Sequence, residues 1–325
     1  MRNKVLYVFA VCGLILTTAC GNPKLKNGEE VIAKINGKEY TANDLYKELK
    51  GQYGYNTVIN WIDGEIAKKE VETTDEIKKY VDEAIEYYQG YAKSYQMTLP
   101  QFASSYLGLT GINSEEDLRE FLTKDRKLTV AIQKHVASKI KDSEAKEFYD
   151  ENYKEVYNYK QIIVTGEDAE DTIKTIRKEL KDSKDIEKTF DEMAEKYSAD
   201  KDKVTVKDAT KDSVDEKVWK ELKDLDDKEY SKDITSGDNH YVILRQSKGK
   251  AKDFDDVKDD IKTKLAEKKL SADQFLSYDV LIELRNKYKI VLFDNDLKDG
   301  YDDFKKQLED AKKQASNSNS NKEEK

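Results

Sequence analysis

Of 325 residues, 58 are Lys or Arg and 67 are Asp or Glu, so 38% of the chain is charged against about 25% in ordinary globular proteins. The apolar share of 37% includes 21 tyrosines, which leaves too little aliphatic material for one thick core and favours two or more thin, mainly helical modules. A net charge of −9 excludes a phosphate-neutralising basic face, and with it nucleic acid as a partner.

The two cysteines, Cys12 and Cys20, both fall in the first twenty residues, so the folded part has neither a disulfide nor a thiolate metal site. The two histidines, His135 and His240, are far apart in the chain, and no metal or cofactor is expected. Arg2 and Lys4 precede an uncharged, mostly apolar run from Val5 to Ala19. That run is shorter than the about 20 residues of a membrane span and fits a signal segment.

Past a polar tether, Val31 to Tyr40 reads as two short strands joined at Asn36-Gly37. Thr41 with Asp44 opens a helix as a capping box, Thr73 with Glu76 another, and Thr98 with Gln101 a third that has Pro100 in its first turn. Ser114 and Ser143 head two more. From Tyr159 the pattern changes. A strand over 159–164, helices over 169–180 and 186–197, an alternating Val204-Thr205-Val206, a helix around Trp219 and a strand over 241–245 form a small α+β module. Phe254 to Tyr288 is predicted as one long helix whose apolar face needs a partner, and the helices before residue 158 offer one. The charged tail at 294–325 is predicted to be disordered.

The stretch Leu16-Thr17-Thr18-Ala19-Cys20-Gly21 resembles a bacterial lipobox, although Thr17 stands where Leu is usual. The resemblance implies cleavage before Cys20, acylation of its thiol and anchoring on the extracytoplasmic face of the cell membrane. Ala33-Lys34-Ile35-Asn36-Gly37-Lys38 with Thr41 through Leu49, Phe148-Tyr149-Asp150-Glu151-Asn152-Tyr153 leading into Gln161-Ile162-Ile163-Val164, and Phe190 through Asp200 carry a further likeness. In this order they resemble the PrsA-type extracytoplasmic foldases, with a SurA-like helical region and a parvulin insert. The implied layout is a signal peptide at 1–19, a tether at 20–30, a helical chaperone domain at 31–157 plus 253–293, and a parvulin-like domain at 158–250.

Parvulin prolyl isomerases place two histidines on adjacent strands, an Asp or Cys after the second helix, and a glycine-rich turn beside the proline pocket. Carried over by position, the Asp is Asp200, but the two histidines are Gln161 and Tyr241. His240 is one place early, and one step along a strand reverses the face. No glycine occurs between Gly166 and Gly237, so the glycine turn is missing. The resemblance therefore implies a degenerate isomerase domain, and leaves open whether the chain is an enzyme. Tyr87, Tyr88, Tyr91 and Tyr95 form a helical stripe of the kind that more often serves helix packing, and that also suits unspecific contact with unfolded chains. Three functions fit: a lipid-anchored chaperone for newly secreted polypeptides, an active prolyl isomerase, and a non-chaperone surface lipoprotein that reuses the fold. Self-association into a homodimer is left open.

Overall fold

The computed structural model describes residues 24–323, with side chains through 317; the signal segment at 1–19 and Cys20 lie outside the described residues. Lys24 and Glu30 close a small antiparallel bridge, so this end of the expected tether is turned back on itself. The strands β1 (Val31–Ile35) and β2 (Lys38–Thr41) pair antiparallel around Asn36 and Gly37, both at positive φ. Helix α1 (Ala42–Leu49) starts on the predicted capping box, and a π-helical turn at Lys50–Gly54 leads into α2 (Tyr55–Glu70).

Next come α3 (Asp75–Ser94), α4 (Leu99–Tyr106), α5 (Glu115–Lys139) and α6 (Asp142–Asn152). The α4 capping box on Thr98 is the predicted one, and α5 starts at the predicted Ser114, which forms a further box with Asp117. Two caps differ. The cap of α3 is Thr74, whose hydroxyl accepts from the Ile77 N–H, rather than Thr73. Ser143 does not cap α6: the helix begins at Asp142, whose carboxylate is held by Lys262 at 2.5 Å and Lys258 at 3.4 Å.

The α+β module follows as β3 (Tyr157–Thr165), α7 (Ala169–Asp182), α8 (Ile186–Tyr197), β4 (Thr205–Ala209), α9 (Glu216–Asp224), β5 (Ile234–Ser236) and β6 (Asn239–Lys248). Its antiparallel sheet has the order β4-β3-β6-β5 and is covered on both faces. Ile162, Val164, Val242 and Leu244 pack on α7 and α8, whereas Tyr157, Tyr159 and Ile243 pack with Val218, Trp219 and Leu222 of α9. The predicted long helix is two helices, α10 (Phe254–Ala272) and α11 (Leu276–Lys287). Between them the Asp273 carboxylate accepts the Phe275 N–H, a side-chain-to-backbone bond that competes with the helical ladder. Helix α10 packs on α5 and α6, burying Val257 and Ile261 against Ala145 and Tyr149.

The tail expected to be disordered is instead α12 (Asn295–Glu323). Leu297, Tyr301, Phe304 and Leu308 recur at intervals of four and three, and Leu308 is only 7% exposed. By contacts the chain divides into two compact units, one of the described residues up to 65 and from 289, the other of residues 66–288. The four-stranded sheet and the helices α3 and α4 both belong to the second unit.

Candidate functional site

The central strand pair positions the first surface. Gln161 lies opposite Ile243 and Ile163 opposite Tyr241, without a register shift between them. Residues facing each other across an antiparallel pair share a side of the sheet, so Gln161, Ile163, Tyr241 and Ile243 lie on one face. Gln161 and Tyr241 line a cleft of about 630 Å³ together with Tyr159, Asp200, Asn239 and Asp215. The sequence thus brings Gln161, Tyr241 and Asp200 to one place. His240 pairs with Val164 on the opposite side, and its Nδ1 is 3.1 Å from both carboxylate oxygens of Asp233.

Gln161 is 8% exposed, and both ends of its amide are engaged. Its Nε2 donates to the Lys203 carbonyl at 2.9 Å, and its Oε1 accepts from the Tyr159 hydroxyl at 3.3 Å. Burial pushes the Tyr159 phenol well above its ordinary value, so it stays a neutral donor. Gln161 therefore ties strand β3 to the loop after α8 and cannot change its protonation state.

Asp200 stands in that same loop, at the mouth of the cleft. Its carboxylate accepts the Lys203 N–H at 3.2 Å and pairs with the Lys203 ammonium at 2.9 Å. The Lys203 side chain holds the carboxyl below the usual range, so Asp200 is an anion at neutral pH. Asp215 caps α9 through the Lys217 and Val218 N–H groups and accepts from Ser236 at 2.6 Å, a bond that lowers its pKa. Within β4, where the register with β3 shifts, Asp208 takes a φ of 52°. Its N–H donates to the Asn158 side chain at 2.9 Å, which helps hold a conformation that a β-carbon disfavours.

The second surface lies on α3 and α4. Tyr87, Tyr91 and Tyr95 are exposed, whereas Tyr88 is half-buried and packs on the core of Val81, Ile85, Ala103, Leu118 and Leu122. The ring of Tyr87 is 4.8 Å from that of Tyr91, Tyr91 is 6.3 Å from Phe102, Phe102 is 5.1 Å from Tyr106, and Tyr106 is 4.9 Å from Tyr95. The result is a continuous aromatic ladder. Phe102 is the member that sequence reasoning missed; its spacing of four from Tyr106 was the available signal.

Residues 140–259 match the model of the PPIC-type PPIase domain. Foldase protein PrsA 2 of Bacillus cereus is 25% identical over 311 residues, covering 93% of this chain and 97% of the relative. Foldase protein PrsA of Geobacillus kaustophilus is 26% identical over 273 residues, covering 82% and 87%. The crystal structure of the PrsA foldase from Streptococcus pneumoniae superposes with a TM-score of 0.60 at 19% identity, covering 83% of this chain and 98% of that one. With its mainly helical fold and its small two-sided antiparallel sheet, the chain is similar to the PrsA foldases over most of its length, and residues 140–259 match a parvulin-type domain.

Proposed function

We propose that this protein is a foldase anchored to the extracytoplasmic face of the cell membrane through acylated Cys20, that it shelters newly secreted, unfolded polypeptides, and that its parvulin-type domain is a weak or inactive prolyl isomerase. The state of Gln161 carries this reading. Rotation about X–Pro must overcome a barrier of about 18–20 kcal/mol, and parvulins meet it with a histidine pair inside a dry cleft. Here one of the two positions is an amide engaged at both ends by Tyr159 and Lys203, and the other is Tyr241. Asp200 is bound to Lys203, which leaves the cleft a place to hold an extended chain rather than to turn one.

Client contact falls to the ladder of Tyr87, Tyr91 and Tyr95, with Tyr88 supporting it from the core side. Homodimerisation belongs to the same proposal, supported by the exposed Leu45, Tyr46 and Leu49 of α1; a concentration-independent monomer mass in sedimentation would refute it. The parvulin domain reads as an insert at 158–250 in a helical chaperone region at 31–157 plus 253–293. The Gly249 N–H donates to the Val156 carbonyl at 2.7 Å, so the chain leaves and returns at neighbouring points. Deleting residues 159–247 across a short linker should leave a folded helical protein, and loss of helical signal would sink the insert reading.

The decisive experiment runs two assays on the full chain in detergent. One follows isomerisation of an X–Pro peptide, the other suppression of aggregation of an unfolded protein. The expected result is a rate near background beside clear suppression. Strong acceleration of isomerisation that Asp200→Ala abolishes would replace this reading with that of an active isomerase.

A further inference from the structure

The tyrosine ladder carries charge as well as rings. Glu83 and Glu86 line the same shallow, solvent-open depression on α3 as Tyr87, Gly90 and Tyr91. Spacings of three and four put these residues on one face of α3. Gly90 keeps the floor of the groove open, because a β-carbon built there meets nothing within 4 Å. Nearby acids are already occupied: Asp82 and Glu115 both bind Arg119. Glu83 has only Lys79, at 3.7 Å with both side chains largely exposed, and Glu86 makes no ion pair among the described residues.

The rings are open too. Tyr87 is 60% and Tyr91 43% exposed, and among the described residues no Lys or Arg stands over either. The same helix shows how such a ring treats a cation: the Arg126 guanidinium lies 4.7 Å from the centre of the Tyr80 ring. Aromatic walls, an open floor and two carboxylates without a strong partner complement a guanidinium or ammonium with apolar neighbours. A wholly neutral occupant would cover the carboxylates without replacing their water, which counts against it.

We infer that the Tyr87–Tyr91 groove selects, among extended client chains, segments in which Arg or Lys adjoins apolar residues, the cation lying between the ring faces and Glu83 and Glu86. The inference rests on the ladder being a client surface and adds what it selects. The net charge of −9 draws such segments in.

The test measures fluorescence anisotropy of two extended peptides on the full chain in detergent. Both have the same length and apolar residues; one carries two arginines and the other two citrullines, which match arginine in shape without its charge. The arginine peptide should bind about five- to tenfold more tightly at low salt, a gain of one cation–π contact and one exposed ion pair. The advantage should shrink towards parity near about 0.5 M salt. It should disappear in the Glu83→Gln/Glu86→Gln variant, and Tyr87→Ala/Tyr91→Ala should weaken both peptides. Equal affinity for the two peptides, lost in the tyrosine variant, overturns the charge selection and leaves the ladder standing. Binding indifferent to the tyrosine variant overturns the ladder and the inference with it. An arginine preference that survives the glutamine variant removes Glu83 and Glu86 from the role.

Discussion

Replacing Gln161 by Leu separates a structural amide from a catalytic one. The change keeps the volume and removes both hydrogen bonds. The Lys203 carbonyl lies in an exposed loop and regains water, so its loss is small. The Tyr159 hydroxyl does not: Tyr159 is 2% exposed and donates to the Gln161 Oε1. A buried donor left without a partner costs about 1–3 kcal/mol. With a urea slope of about 2 kcal/mol per molar, that lowers the unfolding midpoint of the parvulin domain by about 1 M. Of the two tryptophans, Trp219 is 7% exposed in this domain's core and Trp61 is 65% exposed, so the change in emission follows the right region. Isomerase activity should stay where it was. An unchanged midpoint together with an isomerase rate cut tenfold or more would show that the amide serves chemistry, and the reasoning above would fail.

Other outcomes test other parts of the molecule. Ile261→Ala empties a site at 0% exposure between α10 and α6 and should cost about 2–4 kcal/mol, read as a lower thermal midpoint by circular dichroism; a neutral result would deny that this helix clasps the preceding ones. Asp200→Ala should leave isomerisation and aggregation suppression within a few-fold of the parent. Because Lys203 depresses the Asp200 pKa, the pair's contribution to stability is present above the ordinary carboxylate value of 3.8 and fades as pH falls through the lower folded value. The parent and Asp200→Ala midpoints should therefore converge in acid, and a gap that widens there would reverse the sign. Cys20→Ala should leave an uncleaved or unacylated precursor with altered membrane partition, whereas normal maturation and unchanged membrane association would end the lipid-anchor proposal.

What could be read from the sequence is what depends on near neighbours. Thr41, Thr98 and Ser114 cap their helices because the hydroxyl and the side chain three residues on answer each other locally. The opposite facing of His240 and Tyr241 follows from strand alternation alone, and the register confirms that nothing slips there. Features set by distant partners were not legible. Lys262 occupies Asp142 from 120 residues away, so the start of α6 was misjudged. The break at Asp273 turned on one side chain choosing a backbone N–H over solvent. In α12 the density of charge hid the apolar repeat of Leu297, Tyr301, Phe304 and Leu308. Short β5 carries one buried residue, Ile234, too little pattern for a strand to be read. At the cleft, the residue types at 161, 200 and 241 were visible, but the amide's two partners were not, since Lys203 reaches Gln161 across a loop.

The demands of fold and chemistry also separate along the two central strands. Tyr157, Ile162, Ile243 and Leu244 are at most 3% exposed, and a change at any of them would cost packing on α7, α8 or α9. Gln161, Ile163, Asn239 and Tyr241 face the cleft instead, where the requirement is only that polar groups find partners. Gln161 meets it by bonding inward, to Tyr159 and Lys203. An imidazole there could take up or release a proton as a substrate carbonyl's electron density shifts; the amide, tied by one bond at each end to Lys203 and Tyr159, has no proton to exchange. The same two bonds tie the cleft wall to the loop after α8. On the proposed reading, a domain altered in this way keeps its shape and can still receive an extended chain, and the work on clients would pass to surfaces that hold rather than turn, such as the exposed ladder from Tyr87 to Tyr106.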